Sequence, residues 1–437
     1  MPGGTPLWLM VLLAFGANFL LWGTIGGLRL VEERLVRPYL RSRHRVRPTS
    51  GPHQVRLDEV AVLIPAHNEA LVIQDSLRAI LKLLPPHQVH VVSDASTDGT
   101  YRLAREMGVR VIRTPRNVGK AGALVAGIRR FRLLDRFKAV MLLDADTHVD
   151  PGYFDAALPL FDDPKVVAVA GCVHTQREGR ELSTMGTLLI HHRERIYAVA
   201  QRLLKFGQTW SRFNATHIVP GFASVYRTEV LPKIDINPTG MVIEDFNMTF
   251  EVYQKKLGKV AFTLDAIAVT QDPDNLRDYI RQTRRWSLGL WQTVWRHRPR
   301  ANLFTVMVAL LQVELVSSSL MFVLLPLAVL LLAMPDLIGV MTSWPVIGPA
   351  HAFLAAHLAL GALVLGIVLP DFAMTVLVTV VDRSPRSLLC APFFVLLRVL
   401  DSATALYTLP LVWLTRSNGR WRSPARRASP HGTTLGR

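Results

Sequence analysis

Cysteine is almost absent from this 437-residue chain, which contains only Cys172 and Cys390. The two residues are far apart, and the sequence around them does not follow the spacing of a metal-binding motif. The chain therefore offers neither a disulfide framework nor a cysteine-based metal site. We expect both cysteines to be unpaired residues of the protein core.

Acidic residues are outnumbered, with 33 Asp and Glu against 50 Lys and Arg, and the net charge is +17. Such an excess is typical of nucleic-acid-binding proteins, but here the arginines cluster beside apolar segments, where anionic lipid headgroups lie. Half of the residues are hydrophobic and the mean hydropathy is positive, which is too apolar for an ordinary soluble protein. The sequence predicts a lipid bilayer as a partner and no nucleic acid.

Charged side chains are missing from the segment Leu7 to Leu28. At about 1.5 Å per helical residue, this segment can cross a hydrocarbon core of roughly 30 Å. A cleavable signal would carry its positive charge before a shorter apolar core, whereas here the charge follows and indicates the cytosolic side. We predict a retained transmembrane helix over 1–31 and a basic cytosolic linker over 32–54. The arginines that follow are Arg29, Arg34, Arg37, Arg41, Arg43, Arg45 and Arg47.

Long apolar runs are also lacking between about Val55 and Pro299. The first half of this region alternates short β-branched runs with helical patterns, which is typical of a parallel sheet covered by helices. We therefore expect an α/β domain with a mostly parallel sheet over 55–274. The predicted strands are VAVLIP, VHVVS, VRVI and AVMLL, and the predicted helices are Glu69–Leu84, Asp98–Met107 and Ala121–Leu134.

Polar side chains follow three of these strands, in the segments PAHNE, SDAS and DAD. In open α/β sheets, ligands bind beyond the carboxyl ends of the strands, so the carboxylates of Asp94, Asp144 and Asp146 are expected at one edge. Alternate residues of an extended chain point to the same side. Asp144 and Asp146 could therefore bind one cation together.

Each of these polar residues also has a purely structural interpretation. Asp144–Asp146 could be an acidic turn that caps the next helix, and Asp94 could begin an Asx turn. His67 and Glu69 could belong to a helix N-terminus capped by Asn68. The residues alone leave these alternatives open.

After Pro299 the chain has two long apolar runs, Leu303–Met334 and Ala350–Val381, each able to span a membrane. The loop between them, PDLIGVMTSWPVIGP, has no Lys or Arg and is expected outside. A basic tail over 416–437 is expected in the cytosol.

A third apolar stretch, Leu388–Thr415, lies between two segments that are both expected inside. It contains Arg398 and Asp401, which are costly at the centre of a bilayer. We therefore expect an interfacial or re-entrant helix there, so that 301–415 holds transmembrane and interfacial helices.

Six short motifs occur in order along the chain: IPAHNE, SDASTDGT, GKAGAL, LLDADT, VIEDF and QTRRW. Together they resemble the motifs of the family 2 glycosyltransferases, specifically the membrane-embedded processive branch that includes cellulose, chitin-oligosaccharide, hyaluronan and poly-N-acetylglucosamine synthases. The resemblance implies a cytosolic GT-A type domain, which binds a nucleotide sugar, flanked by transmembrane α-helices.

The resemblance also implies a donor site. The diphosphate of a nucleotide sugar leaves with negative charge, which Mg²⁺ or Mn²⁺ held by hard oxygen ligands can neutralise. Asp144 and Asp146 are the expected metal ligands, and Asp94 matches the family aspartate that contacts the nucleotide base. Lys120 lies between glycines that allow close approach to phosphates, although it could be a solvated surface lysine. The expected donor-binding residues are Asp94, Lys120, Asp144, Asp146, Arg285 and, with His67 beside it, Glu69.

Inverting transfer needs a base that takes the proton of the acceptor hydroxyl. The motif VIEDF supplies Glu244 and Asp245, and the family match puts the base on Asp245. The alternative is a pair of first-turn acids stabilised by the helix dipole.

The QTRRW motif lies on an amphipathic segment over 275–300, which also suits an interfacial helix with snorkelling arginines. Such a helix could hold the diphosphate through Arg285 and stack Trp286 beside the acceptor sugar. Upstream, VPGFASVYR resembles the family's acceptor-end segment, although its residues depart from the commoner variants. The expected acceptor-binding residues are Trp286, Gln282, Gly221 and Ser224.

These features together predict a processive inverting β-glycosyltransferase of the plasma membrane that polymerises a UDP-sugar. UDP-N-acetylglucosamine is the favoured donor because of the resemblance, and UDP-glucose is the alternative. The growing polysaccharide is the expected acceptor, and it could cross the membrane through the chain's own helices or with accessory membrane subunits. Two further hypotheses are a single-addition enzyme that acts on a polyprenyl phosphate and a catalytically silent membrane scaffold.

Overall fold

The structure is a computed structural model. It describes residues 6–36, 54–177, 181–382 and 384–415. Most of the predicted linker and the whole predicted basic tail lie outside these ranges.

A single eight-stranded sheet forms the centre of the structure. Its strands are β1 Val60–Ala66, β2 Val89–Ser93, β3 Arg110–Arg113, β4 Ala139–Leu143, β5 Thr147–Val149, β6 Val166–Thr175, β7 Ala223–Arg227 and β8 Lys259–Thr270. The strand order is β3-β2-β1-β4-β7-β6-β8-β5. The four predicted strands are therefore all present, and they form one half of the sheet.

Some helices of the described residues alternate with these strands along the chain, and the others precede the first strand or follow the last one. They are α1 Leu7–Phe15, α2 Ala17–Val31, α3 Ile73–Leu81, α4 Thr100–Glu106, α5 Gly119–Arg130, α6 Leu133–Arg136, α7 Tyr153–Ala157, α8 Thr184–Val199, α9 Phe206–Gln208, α10 Asp245–Gln254, α11 Leu276–Arg296, α12 Leu303–Leu337, α13 Ile347–His357, α14 Leu360–Leu363, α15 Leu369–Asp382 and α16 Arg386–Leu414. Short 3₁₀ and π-helical turns connect several of them.

The sheet is mixed rather than uniform. β1 pairs in parallel with β2 and β4, β2 pairs in parallel with β3, and β6 pairs in parallel with β8. β7 is antiparallel to both β4 and β6, and β5 is antiparallel to β8. The insertion of β7 beside β4 brings the loop before β7 next to the residues that follow β4.

The parallel half forms because its strands are apolar along their whole length. Every residue of β1 and β4 is buried, as expected for strands with helices on both faces. Helix α5 packs on this half with its glycine face, where a Cβ atom on Gly127 would clash with Leu63 and Val92. The domain core thus lies on both sides of β1 and β4.

The N-terminal apolar segment is not one straight helix. It consists of α1 and α2, which meet at an angle of 79°. Gly16 lies between them with a φ of 82°, a conformation that favours glycine. Glu314 of α12 accepts hydrogen bonds from the Asn18 backbone N–H at 2.7 Å and from its side chain at 2.9 Å. The two helices are long and apolar enough to cross a membrane only when they are taken together as one broken span.

Three other helical segments in the described part of the chain are long and apolar enough to cross a membrane: Leu303–Pro335, Leu360–Asp382 and Arg386–Leu414. The first matches the predicted run Leu303–Met334. The second begins ten residues later than the predicted run Ala350–Val381, because the first part of that run belongs to the separate helix α13. The third is one continuous helix that is long enough to span, and the expected interfacial or re-entrant placement of this stretch stays a prediction. The chain therefore has the composition and helices of a membrane protein.

The charges that argued against a third span have partners in the structure. Arg398 donates to Asp371 of α15 at 2.8 Å and to the carbonyl oxygen of Ala14 at 2.6 Å. Asp401 accepts from the hydroxyl of Tyr279 at 2.9 Å. Paired charges cost much less in an apolar environment than isolated ones, and no local pattern of residues indicated these partners.

Candidate functional site

The candidate site lies where the loop after β4 meets the start of α10. Asp144 follows β4, Asp245 begins α10 directly after Glu244, and Lys120 belongs to the first turn of α5. The Lys120 ammonium is 2.8 Å from Asp144 Oδ1 and 3.2 Å from Glu244 Oε1. Its side chain is only 15% exposed, so Lys120 is not a solvated surface lysine. Three distant parts of the sequence therefore meet around one buried cation.

Gly221 completes this group from the loop before β7. Its N–H donates to Asp245 Oδ2 at 2.8 Å, and its carbonyl oxygen accepts from Lys120 Nζ at 3.4 Å. A Cβ atom here would clash with Asp245 Oδ1 and with Lys120 Nζ. Glycine is thus the residue that allows the backbone to approach both side chains.

We expect Gly221→Ala to leave the protein folded but to lower the glycosyl transfer that the motif resemblance implies by about 10²-fold, because a displacement near 1 Å in an active site costs about that much. The measurement is the steady-state rate of nucleotide release together with the melting temperature. Gly152→Ala is the matched control, since its Cβ would meet only Asp150 at an ordinary 3.4 Å. Equal rates for the two variants would contradict this account of Gly221.

The two carboxyl groups at the start of α10 hold one proton between them. Burial, and then the charge of Glu244, raise the pKa of Asp245 to about 8. Burial also acts on Glu244, but Lys120 and a hydrogen bond from Asp245 outweigh it and lower the pKa of Glu244. At neutral pH Asp245 is therefore the protonated partner of the pair, as expected for two carboxyl groups in one buried site.

Negative charge is also crowded after β4. Burial raises the pKa of Asp144, and the nearby charge of Asp146 raises it further, whereas Lys120 opposes both. Burial disfavours the charge of Lys120, yet the surrounding carboxylates raise the pKa of this lysine well above its usual value. The carboxylates of the site thus stabilise the charged form of Lys120, and they are also ligands of the kind that a divalent cation binds.

The structure tests the alternative interpretation of Asp144–Asp146 as a helix cap. These residues form the turn between β4 and β5, and Asp150 is the residue that accepts from the N–H of Gly152 before α7. The interpretation as a helix cap was therefore wrong.

Asp146 is 5% exposed, and its carboxylate and that of Asp144 are the hard oxygen donors that Mg²⁺ and Mn²⁺ prefer. The pair fits a divalent cation whose remaining ligands come from phosphate and water.

Asp94 is fully buried behind the start of α5. Its carboxylate accepts from the N–H groups of Val118 at 2.9 Å and Gly119 at 2.8 Å, and from the Thr114 hydroxyl at 2.7 Å. These donors come from the next loop rather than from the turn that follows Asp94, so the Asx turn was the wrong interpretation. Asp94 holds the N-terminus of α5, and with it Lys120, beside the site.

His67 and Glu69 lie at the same edge of the sheet. His67 Nδ1 is 2.5 Å from the Asp94 carbonyl oxygen. Glu69 is 1% exposed, and its N–H donates to the Thr100 hydroxyl at 2.8 Å. Helix α3 begins only at Ile73, so the interpretation of Asn68 as its cap was wrong.

Trp286 and Gln282 of α11 lie on the side of the site that faces the apolar helices. Trp286 packs in one cluster with Ile243 and Phe246, which flank the acidic pair. Gln282 Oε1 accepts from Arg193 at 3.2 Å. The motif helix is therefore close to the start of α10.

Two expected site residues lie elsewhere. Ser224 is fully buried in β7, paired with Leu142 and Ala170 of the sheet, and its hydroxyl donates to the Pro220 carbonyl at 2.5 Å. Arg285 is exposed on α11 and makes no hydrogen bond or ion pair with any described residue. Their roles in acceptor and donor binding stay predictions.

Sequence reasoning missed a buried polar group next to Trp286. Arg193 of α8 lies over the Trp286 ring at 4.5 Å, and Asp272 after β8 is 3.8 Å from Arg193. The only signal in the sequence was the charged run HHRER inside a helix that is otherwise apolar. Nothing in its spacing indicated which element it faces.

Comparison with known proteins identifies the family. The family model described as "Glycosyltransferase like family 2" matches residues 58–289, more than half of the chain. A "Probable glycosyltransferase YdaM" of Bacillus subtilis is 30% identical over 246 residues, which cover 53% of this chain and 55% of that protein. A hyaluronan synthase of Streptococcus pyogenes is 24% identical over 258 residues, covering 55% and 58%. The chain spans about half the length of these curated relatives.

Among solved structures, the chain is similar to a mannosyltransferase, PcManGT from Pyrobaculum calidifontis, in complex with GDP-Man and Mn²⁺. The similarity has a TM-score of 0.46 and 18% sequence identity, and covers 88% of this chain and 99% of that one. The family match includes all six motifs, from IPAHNE to QTRRW, and all eight strands of the sheet. The chain therefore belongs to glycosyltransferase family 2.

Proposed function

We propose that this chain is a processive inverting β-glycosyltransferase that extends a polysaccharide from a UDP-sugar. The observation that carries the proposal is the buried Glu244 and Asp245 pair. It lies between a cationic donor side, where Lys120 contacts Asp144, and the Trp286 side near the apolar helices. One compact group therefore offers a base, a place for a diphosphate and an apolar exit.

The donor side suits a diphosphate leaving group. Lys120 is a buried cation that two carboxylates hold in place, and a phosphate oxygen can replace either of them as its partner. Asp144 and Asp146 would hold Mg²⁺ or Mn²⁺, which supplies neutralisation of the diphosphate charge. Asp94 keeps the loop before Lys120 in position through its hydrogen bonds to backbone N–H groups.

Asp245 is the proposed base. Its pKa of about 8 is raised by burial and by Glu244, which gives the carboxylate far greater proton affinity than an ordinary aspartate has. A base with a pKa near the working pH is the most effective. The N–H of Gly221 donates to its Oδ2 at 2.8 Å, so the backbone fixes the position of this carboxyl group beside Glu244.

The acceptor side supports polymer synthesis. Trp286 offers an aromatic face of the kind that stacks on a sugar ring. Its apolar cluster extends through Leu290 to Leu315 of α12, a helix long enough to cross a membrane. A sugar chain bound at Trp286 would therefore start beside a candidate span.

The donor sugar is proposed from resemblance. UDP-N-acetylglucosamine is favoured because the motifs are similar to those of the poly-N-acetylglucosamine and chitin-oligosaccharide synthases, and the similarity to hyaluronan synthase supports a processive product. We further propose a multi-pass location in the plasma membrane with the catalytic domain in the cytosol, because the arginines after the first apolar segment indicate that side.

Incubation of membranes that contain the full chain with a panel of UDP-sugars tests this proposal. UDP release, product size and anomeric linkage are measured for each sugar. We expect one UDP-sugar to give a long β-linked product. A product of one added sugar on a lipid would support the single-addition hypothesis instead, and no release from any donor would support the silent scaffold.

Replacement of the motif tryptophan tests the acceptor side. We expect Trp286→Ala to lower total polymer by up to about tenfold and to leave only short product, because loss of an aromatic contact removes about 0.5–1.5 kcal/mol of binding. UDP binding should be unchanged. Trp295→Ala is the matched control, since Trp295 lies on the same helix but is 68% exposed. Polymer of normal length from Trp286→Ala would remove the main support for processive synthesis.

A further inference from the structure

Helix α8 carries five consecutive polar residues that are all buried, His191 to Arg195. Four of them contact neighbouring elements other than α11, in the pairs His191–Ser387, His192–Asp401, Glu194–Arg177 and Arg195–Asp371. Arg193 is the member of the run that donates hydrogen bonds to α11, the helix of the QTRRW motif.

Arg193 is 4% exposed and contacts α11 in two ways. Its guanidinium carbon lies 4.5 Å from the ring centres of both Tyr279 and Trp286. The same group donates to Gln282 Oε1 at 3.2 Å and to the Thr283 hydroxyl at 3.3 Å. It therefore fixes the two motif side chains that are expected to meet the acceptor.

The charge of Arg193 is balanced by a carboxylate outside α11. Its Nε is 3.8 Å from Asp272 Oδ1. Asp272 in turn accepts from the Tyr197 and Thr175 hydroxyls at 2.8 and 2.9 Å. The carboxylate is thus immobilised by side chains of α8 and β6, and it anchors Arg193 independently of α11.

We propose that Arg193 is a positioning residue, which holds the Trp286 indole and the Gln282 amide in the orientation that binds the acceptor end of the growing sugar chain. This inference rests on the proposed function, because it assumes that Trp286 and Gln282 meet an acceptor. Arg193 itself contacts no reacting atom. It acts by limiting the motion of the two side chains that do the binding.

The geometry requires arginine rather than any cation. A planar guanidinium can lie against aromatic rings and donate several hydrogen bonds from one plane, whereas a lysine ammonium is a point charge without a flat face. Lysine at this position would keep the pairing with Asp272 but lose the stacking on Tyr279 and Trp286. The two functions of the side chain are therefore separable by substitution.

The test uses the full chain in membranes and compares Arg193→Met, Arg193→Lys and wild type. The apparent KM for an acceptor oligosaccharide, the KM for the UDP-sugar, the product length and the melting temperature are measured. Arg202→Met is the matched control, because Arg202 follows α8 and pairs with Asp382 at 2.6 Å but does not contact α11. Arg193→Met is also combined with Trp286→Ala.

We expect Arg193→Met to raise the acceptor KM by about tenfold, the size of a lost buried cation–aromatic contact, and to shorten the product with little change in the donor KM. Arg193→Lys should recover the melting temperature but not the acceptor KM. In the Trp286→Ala background, Arg193→Met should add little. Arg202→Met should leave both KM values unchanged.

Three results would overturn the inference: an equal rise in both KM values, full recovery of the acceptor KM by Arg193→Lys, or additive effects of Arg193→Met and Trp286→Ala. Failure of the proposed function is a different result, in which wild type itself adds a single sugar. In that case the acceptor KM of the lipid substrate replaces that of the oligosaccharide, and the comparison of variants still decides the role of Arg193.

Discussion

Asp245→Asn is expected to abolish sugar transfer, with a loss of about 10² to 10⁴-fold, while UDP binding survives. The amide is nearly the same size as the carboxyl group and can still accept from the N–H of Gly221, but it cannot take a proton from the acceptor hydroxyl. The rate of polymer formation and the affinity for UDP are measured on the same preparation. Equal loss of transfer and of UDP binding would indicate a structural acid rather than a base.

The pKa of Asp245 adds a pH dependence to this prediction. In wild type kcat/KM should rise with pH up to about 8, because burial and Glu244 raise the pKa of Asp245 to about 8 and only the deprotonated group is a base. A carboxyl group with a raised pKa in the folded state also favours folding at low pH. Its contribution to the free energy of unfolding should therefore fall as pH rises from the ordinary pKa of an aspartate to about 8. Asp245→Asn should lose that stability change. Asp235→Asn, at an exposed position paired with Arg296, should leave both profiles unchanged.

Removal of divalent metal is the second change with a large expected effect. EDTA should stop transfer, and added Mg²⁺ or Mn²⁺ should restore it, because Asp144 and Asp146 would otherwise face the donor diphosphate without a neutralising ion. Asp146→Asn should remain folded and inactive. The measurement is UDP release with and without EDTA, followed by titration of each metal.

The matched control for the metal prediction is Asp150→Asn, which lies beyond β5 and whose side chain can still accept from the N–H of Gly152. This variant should keep wild-type activity and the wild-type response to EDTA. Full activity of wild type in EDTA would contradict a metal role for Asp144 and Asp146.

The parallel half of the sheet was predictable because each of its strands is a short apolar run that ends in a polar segment. The same rule gave the site residues Asp94 and Asp144 their place at the carboxyl edge. The other half of the sheet, formed by β5 to β8, was not predicted, although β6 and β8 are the longest strands. Their pairing depends on contacts between segments that are far apart in sequence, such as β6 Val166 with β8 Lys259, and local patterns carry no information about those contacts.

The pairing of buried charges could not be predicted from the sequence either. Arg398 looked too costly for a membrane span because its partner Asp371 comes 27 residues earlier, on another helix. Gly16 looked like one more residue of an apolar run, yet it is the position where α1 and α2 diverge. In the site, the need for glycine at position 221 depends on its contacts with Asp245 and Lys120, which only the folded chain brings together.

The most direct test of processive synthesis is a pulse–chase measurement on membranes that contain the full chain. Labelled UDP-sugar is supplied briefly, excess unlabelled donor follows, and the size of labelled product is determined at early times. The account predicts that labelled chains grow long while most acceptors remain unused, because Trp286 keeps the same chain bound between additions. Short products that lengthen together across all acceptors would contradict it.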